Sequence, residues 1–310
     1  MSDLNLNDVN LVLVDHRVQL RNSLRMALNE AGLRYNNIVD GSEVSAVRRS
    51  VQGSLGPDIV ICDADSRGGD LFELTSAIRN NRIGLNPFMA ILALSWDPTE
   101  KLVKDAANSG ADYLIAAPFS PKQILDRIRS LVYNRASFVI TSEYIGPDRR
   151  DGGTRDSTAP QLDVPNSLRD KTLGEFDPRA FRERVRSAIT AVSSHKMELH
   201  AYRLATDAAM AANDFARDPF SIDPDCLDRL QSSASDLKWR AQKVSLVSIS
   251  ELSEALLNVL RSVRLGPPDI LSQNIELLKQ LSMAIRAAVD PAEPTEALAY
   301  DIAEAVSSRG

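Results

Sequence analysis

The chain has 310 residues, of which 44% are hydrophobic and 25% charged, and its formal net charge is −6. This length suits about two folded domains. The negative charge excludes a general electrostatic attraction to nucleic acid or an anionic membrane, and no apolar run reaches the roughly 18 residues that span a bilayer. Two distant cysteines, Cys62 and Cys226, form no disulfide framework or metal-ligand spacing. We therefore expect a cytoplasmic protein with no nucleic-acid or membrane partner.

The first 136 residues alternate short apolar runs with amphipathic segments. The apolar runs predict strands near residues 11–14, 38–39, 57–63, 88–94 and 113–116. The amphipathic segments predict helices from Val18 to before Gly32, from Ser42 to about Ser54, through Leu71–Ile78, around Leu102–Ala107 and through Ile124–Leu131. Five such β/α units predict an α/β fold, a doubly wound parallel five-stranded sheet with helices on both faces.

The stretch from Pro57 to Asp65 is the centre of this half. Its apolar residues 59–62 do not alternate with polar ones, which is typical of a strand buried on both faces of a parallel sheet. Such a strand places Asp63 at the C-terminal edge of the sheet, where ligands bind in open α/β folds. For this segment alone, the simpler alternative is a carboxylate that only ends a strand at the solvent boundary.

Several motifs follow one another in a fixed register along this half. They are the strand-end acid Asp15, the run from Pro57 to Asp63, the segment Asp70–Leu74, the hydroxyl of Ser95, and Gly110-Ala111 followed by Pro118-Phe119. Taken together, residues 9–134 resemble the receiver domain of two-component response regulators.

The resemblance implies a role for each of the strand-end residues. Asp63 corresponds to the phosphoacceptor, Asp15 to one member of the acidic pair that holds Mg²⁺, and Ser95 to the switch hydroxyl that follows the phosphoryl group. The backbone carbonyl of Asp65 would complete the metal site. The chemistry agrees, because a hard cation needs clustered oxygens and an attacking carboxylate needs its charge offset nearby.

Two positions depart from the family pattern. His16 stands where the family has a second acidic residue, and imidazole is a poor ligand for Mg²⁺. Ala117 stands where the family has a lysine, and no Lys or Arg lies between residues 104 and 122. Arg67 and His16 are the candidates for the missing positive charge. We therefore predict a degenerate receiver, a pseudo-receiver with a weakened Mg²⁺ site and no enzyme activity.

The rest of the chain changes character twice. Residues 137–176 are rich in charges and in Gly and Pro and have no periodicity, so they are predicted as a linker, with residues 137–140 as a candidate for a short extension strand. Residues 177–310 begin with Asp177-Pro178, a good helix start, and predict an all-α helical bundle. Its predicted helices cover about residues 178–215, 224–237, 249–263, 270–289 and 295–306. For the first of them, a break near Ser193-Ser194 is the alternative.

Two segments of this bundle, residues 234–239 and 248–256, weakly resemble histidine phosphotransfer domains. Ser235 stands at the place of the family's histidine and Trp239 at the place of its glycine, so the resemblance implies a bundle that accepts no phosphoryl group. An unrelated bundle fits the two segments equally well. His195 and His200 lack the following lysine and glycine and are predicted as surface or core residues.

These observations predict a phosphorelay signalling protein that acts mainly through protein–protein contacts. The resemblance implies a histidine kinase, a phosphotransfer protein or a downstream regulator as partner. The helical half is expected to dimerise or to bind another signalling protein. The alternative is a phosphorylation-competent response regulator, in which Asp63 accepts a phosphoryl group with Mg²⁺ and the helical half is an output domain that does not bind DNA.

Overall fold

A computed structural model describes residues 4–53, 55–149, 161–218, 222–265 and 270–289. The chain divides into two compact units, residues 1–189 and 190–310. Helices within the described ranges lack the combination of length and apolar character that a transmembrane span requires.

The first unit contains a five-stranded, fully parallel sheet in the order β2-β1-β3-β4-β5. Its strands are β1 (Leu11–Val14), β2 (Ile38–Gly41), β3 (Ile59–Asp63), β4 (Ala90–Ser95) and β5 (Tyr113–Ala116). Its helices are α1 (Val18–Glu30), α2 (Ser45–Val51), α3 (Leu71–Arg79), α4 (Glu100–Ser109) and α5 (Pro121–Tyr133). This confirms the predicted doubly wound sheet, although α2 begins three residues after the predicted Ser42.

The sheet separates two apolar cores. Side chains alternate along a strand, so Ile59 and Ile61 of β3 pack on the side of α1 and α5, while Val60 and Cys62 pack on the side of α2 and α3. Because both faces are covered, β3 and β4 are buried along their whole length. This is why the apolar run of β3 has no polar alternation.

The segment predicted as a linker is folded in its described residues. It forms β6 (Phe138–Ile140), β7 (Ile145–Pro147) and β8 (Gln161–Leu162), an antiparallel sheet in the order β7-β6-β8, followed by α6 (Ser167–Leu173). We call residues 137–149 and 161–173 the extension. The extension belongs to the first unit and packs beside its large sheet, which differs from the predicted linker. Apart from the candidate strand at residues 137–140, which β6 matches, strands of two or three residues are too short to leave a periodic pattern.

A buried guanidinium joins the extension to the large sheet. Arg79, at the end of α3, donates to the backbone oxygens of Gly110, Pro87 and Met89 and to Oδ2 of Asp112 at 2.9 Å. Nε of Arg135 donates to Oδ1 of the same Asp112 at 2.8 Å. Both guanidinium groups lie about 5 Å from the Phe138 ring, at 5.2 and 5.1 Å. Burial lowers the pKa of Arg79 to about 10, a cost that the Asp112 carboxylate offsets.

The second contact of the extension is a close backbone approach. Gly110 ends α4 in the left-handed conformation, with φ of +85°, and a Cβ there would lie 2.3 Å from the carbonyl oxygen of Ile145 in β7. A side chain cannot fit unless β7 moves.

We predict that Gly110→Ala lowers the free energy of unfolding of the first unit by about 2 to 4 kcal/mol, the sum of the left-handed penalty and overpacking. Gly174→Ala is the matched control, since Gly174 also ends a helix with positive φ but a Cβ there meets nothing within 4 Å. The control should lose only about 1 kcal/mol. Urea unfolding followed by Trp96 fluorescence in a Trp239→Phe background measures this unit, and equal losses would contradict the prediction.

The described helices of the second half are long. They are α7 (Pro178–Arg217), α8 (Pro224–Lys243), α9 (Val247–Leu265) and α10 (Leu271–Val289). Helix α7 is continuous through Ser193-Ser194, so the alternative of a break there is wrong. The predicted helix at residues 295–306 lies outside the described residues. Side chains of all four helices, among them Leu204, Leu230, Leu252 and Leu281, form one apolar core.

This helical core contains a buried ionic cluster. Oδ2 of Asp236 lies 3.1 Å from Nε2 of His200 and accepts from Nε of Arg240 at 2.6 Å. Burial alone raises the pKa of Asp236, but the hydrogen bond from His200 and the charge of Arg240 outweigh it and hold that pKa well below the usual range. His200 is thus a core residue, one of the two outcomes expected for it.

We predict that Asp236→Asn destabilises the helical unit by about 3 kcal/mol at neutral pH, because a buried guanidinium loses a close carboxylate. The folded-state pKa is depressed, so this stabilisation is present above the unfolded-state pKa of about 4 and is lost as pH falls below it. The gap in unfolding free energy between parent and variant should therefore close on acidification. Urea unfolding with Trp239 fluorescence, in a Trp96→Phe background, provides the measurement.

The matched control for this prediction is Asp228→Asn on the same helix. Asp228 pairs with Arg264 at the surface, where an ion pair contributes under about 1 kcal/mol. If both variants lost the same stability, or if the Asp236→Asn gap did not change with pH, the prediction would be wrong.

Candidate functional site

Two buried carboxylates lie side by side at the C-terminal edge of the large sheet. Asp15 follows β1 directly and Asp63 is the last residue of β3, and these strands pair in parallel with Val14 opposite Cys62. The chain leaves β1 toward β2 on one side, while β3 lies on the other, so this is the point where the strand order reverses. Both side chains are fully buried. We call this site the acidic pocket.

The guanidinium of Arg17 bridges the two carboxylates. Its Nη2 lies 2.8 Å from Oδ2 of Asp15 and 3.1 Å from Oδ2 of Asp63, and its Nε donates to Oδ1 of Asp15 at 2.8 Å. The backbone N–H of Arg17 also donates to Oδ1 of Asp15 at 2.8 Å. Arg17 has an extended backbone just before α1, which lets the side chain turn back onto the strand end. A fixed cation therefore occupies the space between the acids.

His16 and Ser66 contact the same oxygen of Asp63. Nδ1 of His16 lies 3.1 Å and Oγ of Ser66 3.4 Å from Oδ2 of Asp63. The other carboxylate oxygen, Oδ1 of Asp63, is buried and has no hydrogen-bond partner among the described residues, and the same holds for Oγ of Ser95 at the end of the adjacent β4. The structure thus brings Asp15, Asp63 and Ser95 to one edge, as predicted.

The electrostatics of the pocket act in opposite directions on Asp63. Burial, and next the charge of Asp15, raise the pKa of Asp63, while Arg17, His16 and a backbone hydrogen bond from Asp65 lower it; the net pKa is raised. For Arg17, burial lowers the pKa, but the hydrogen bond and charge of Asp15 and the charge of Asp63 raise it above its usual value. Arg17 is therefore a permanent cation at this site.

Sequence reasoning did not identify Arg17 as part of the site. It named His16 and Arg67 as candidates for the missing charge, but Arg67 is exposed and its side chain forms no ion pair within the described ranges. The role of the Asp65 carbonyl stays a prediction. The available signal was a basic residue two positions after the strand-end acid, at the start of the following helix, where a long side chain can fold back.

The Mg²⁺ ion that a receiver-like pocket implies does not fit this arrangement. Asp15, His16 and Asp63 offer three potential ligand atoms within 4.8 Å of one another. However, one of the three is a nitrogen, and hard Mg²⁺ prefers oxygen. In addition, donors of Arg17 already engage both oxygens of Asp15 and one oxygen of Asp63. A metal ion would have to displace the guanidinium before it could reach the carboxylates.

An aromatic side chain covers the other side of Arg17. Its guanidinium carbon lies 4.1 Å from the ring centroid of Trp96, the residue after β4, within the range of a cation–π contact. The Trp96 ring in turn packs on Phe119, with centroids 5.6 Å apart. Trp96 is 45% exposed, so the pocket is connected to the surface by a stack of two rings.

The phosphotransfer-like positions of the helical unit contain no comparable cluster among the described residues. Ser235 is exposed and donates to the backbone oxygen of Gln231 at 2.7 Å. Lys238 forms an ion pair with Glu254 on the neighbouring helix. His195 is partly exposed and lies 3.4 Å from Glu198. The phosphotransfer-like character of this unit stays a prediction.

No family model matches the chain. It is similar to the transcriptional regulatory protein GltR of Pseudomonas aeruginosa, 28% identical over 134 residues, which is 43% of this chain and 52% of that protein. It is also similar to the transcriptional regulatory protein ResD of Bacillus subtilis, 25% identical over 131 residues, 42% of this chain and 50% of that protein. The matched part is thus about half the length of these curated relatives.

Solved structures match the same share of the chain. One is the chemotaxis response regulator CheY4 of Vibrio cholerae, with 19% identity, 40% of this chain and 98% of that chain covered, and a TM-score of 0.34. Another is the receiver domain of the sensor histidine kinase PA1611 of Pseudomonas aeruginosa with a magnesium ion in its cleft, with 19% identity, 40% and 96% coverage, and a TM-score of 0.34. The similarity to response regulators covers the N-terminal part of the chain, and the predicted resemblance of the helical part to phosphotransfer domains is unconfirmed.

Proposed function

We propose that this chain is a two-component signalling protein with a degenerate receiver domain that acts through binding other signalling proteins. One observation carries the proposal. Oδ2 of Asp63, the phosphoacceptor position, already contacts Nδ1 of His16 and Nη2 of Arg17, each at 3.1 Å. The carboxylate is occupied by protein cations or donors rather than presented to a phosphodonor.

Phosphoryl transfer chemistry explains why this arrangement disfavours acceptance. The transferred group carries negative charge on its oxygens, and catalysis consists mainly of positioning and neutralising that charge with metal ions and basic side chains. Here Ala117 follows β5 in place of a cation, and the guanidinium of Arg17, which reaches both acids, is already paired to them. Little positive charge is left for an incoming phosphoryl group.

The proposed role is therefore a cytoplasmic, non-enzymatic one. Its partners would be the proteins that recognise receiver surfaces: a histidine kinase, a phosphotransfer protein or a downstream regulator. The second candidate is a phosphorylation-competent regulator with acceptance at Asp63. It is favoured by Oδ1 of Asp63 and the hydroxyl of Ser95, which stand at the ends of adjacent strands, since neither has a hydrogen-bond partner among the described residues.

We predict that the full chain, incubated with Mg²⁺ and acetyl phosphate, stays largely unlabelled at Asp63. Replacing His16→Asp together with Ala117→Lys should increase labelling by roughly tenfold or more, because cations on the phosphoryl oxygens dominate this chemistry. Intact-mass spectrometry measures the phosphorylated fraction. Asp63→Ala is the control for site specificity in both backgrounds.

Two labelling results would contradict this proposal. Rapid stoichiometric labelling of the parent chain that disappears in Asp63→Ala would reject the degenerate receiver and support the competent regulator. Label on His195 or His200, stable in base and labile in acid, would reject the view that the helical unit accepts no phosphoryl group.

The helical unit is the proposed docking module of the protein. Several large apolar side chains are exposed on its helices, namely Tyr202 and Met210 on α7, Val247 and Leu265 on α9, and Met283 on α10. Exposed apolar surface of this kind marks interaction sites in soluble proteins when it is contiguous. We propose that exposed side chains of α7 and α10, Met210 and Met283 among them, contact a second copy of this chain in a homodimer.

We predict that light scattering of the full chain gives a dimer mass, and that Met210→Glu with Met283→Glu shifts it to the monomer mass, because a buried charge at an interface is costly. Val103→Glu is the matched control, since Val103 is equally exposed but lies on α4 of the first unit. A monomer mass for the parent at all concentrations would contradict the prediction, as would dissociation by the control alone.

A further inference from the structure

The acidic pocket carries its own cation. We propose that Arg17 replaces Mg²⁺ as the resident cation between Asp15 and Asp63, and that its stack on Trp96 couples the pocket to a surface pair, the exposed Trp96 and the partly buried Phe119. A receiver-like fold implies a Mg²⁺ site at this edge of the sheet, but the residues present there do not suit Mg²⁺.

The contacts of Arg17 are those of a built site. Three donors reach Asp15, namely Nε, Nη2 and the backbone N–H, each at 2.8 Å, and Nη2 reaches Asp63 as well. A guanidinium fork that meets a carboxylate with two parallel donors is the strongest geometry for such a pair. Both carboxylates are fully buried, so solvent screening of these contacts is weak.

A tethered cation competes well against a free one. Arg17 is two residues from Asp15, so its guanidinium is present at a high effective concentration whatever the metal concentration in solution. With Arg17 in place, the two acids keep only one uncompensated negative charge, and a divalent ion entering the pocket is repelled by the guanidinium. His16, the third potential ligand, offers nitrogen, which Mg²⁺ does not favour.

The stack connects the buried pocket to the exposed side chain of Trp96, so the environment of Trp96 reports on the position of Arg17. Trp96 lies on the guanidinium of Arg17 on one side and packs against Phe119, with the centroid distances of 4.1 and 5.6 Å given above. Removal of Arg17 from between the acids leaves the Trp96 ring without its cation. The packing of Trp96 and Phe119 at the surface therefore depends on whether the acids hold Arg17.

This proposal rests on the proposed function only in that both concern the acidic pocket. A metal titration measures occupancy of the pocket by a cation, whereas acetyl phosphate labelling measures acceptance at Asp63. The first can fail while the second holds, so the two results are distinguishable.

The experiment is a Mg²⁺ titration of the full chain in a Trp239→Phe background, in which Trp96 is the sole tryptophan. Calorimetry and Trp96 fluorescence are recorded together. We expect no saturable binding at millimolar Mg²⁺ for the parent. Arg17→Gln removes the charge but keeps an amide, so it should bind Mg²⁺ saturably, with a dissociation constant at least about tenfold below the highest Mg²⁺ concentration at which the parent shows no binding. The Trp96 emission of Arg17→Gln should also differ from that of the parent before any metal is added.

Two further variants complete the test. Arg67→Gln is the matched control, since Arg67 is a nearby exposed arginine, and it should behave as the parent does. Arg17→Lys keeps the positive charge but lacks the guanidinium fork, and it should bind Mg²⁺ more weakly than Arg17→Gln does. That result would show that a cation at position 17 of a folded chain excludes the metal. Saturable Mg²⁺ binding by the parent with the same affinity as Arg17→Gln overturns the proposal. So does an Arg17→Gln chain that folds, by circular dichroism, yet keeps the metal response and Trp96 emission of the parent.

Discussion

The bridge from Arg17 to two buried carboxylates determines what the C-terminal edge of the sheet can do. Asp15 and Asp63 are placed side by side by parallel pairing of β1 and β3, and neither could stay charged and buried without a cation. In this chain the cation belongs to the protein. The raised pKa of Asp63 shows that even with Arg17 and His16 nearby, burial and the charge of Asp15 prevail.

Ionic groups also secure the other parts of the fold, each with its own buried charge. At the opposite edge of the sheet, Asp112 accepts from both Arg79 and Arg135, and this cluster lies against the Phe138 ring of the extension. In the helical unit, Asp236 pairs with His200 and Arg240. Buried ion pairs contribute little net stability compared with apolar packing, but they penalise any arrangement that separates the partners. They therefore specify the packing of elements whose apolar contacts are small.

A receiver-like fold with a filled pocket has a consistent functional interpretation. The exposed ring of Trp96, which stacks on Arg17 next to the pocket, offers a surface for the partner binding that we propose. The exposed apolar side chains of the helical unit offer a further contact surface. The proposed role depends on these surfaces, because the guanidinium between the two acids is already paired to both of them.

The sequence by itself determined the five-stranded sheet, because unbroken apolar runs indicate strands that are buried on both faces of a parallel sheet. It also determined that Asp15, Asp63 and Ser95 lie at one edge, because each of them ends such a run. The sequence also indicated the helices α8, α9 and α10 of the second half, whereas the continuity of α7 through Ser193-Ser194 was left open. Only the tertiary structure decided the role of Arg17, since the sequence does not say where a long side chain folds back. It likewise decided the extension, whose strands are two or three residues long and depend on Arg79 and Gly110, distant in the chain. Local periodicity predicts elements, but contacts between distant residues decide which charges meet.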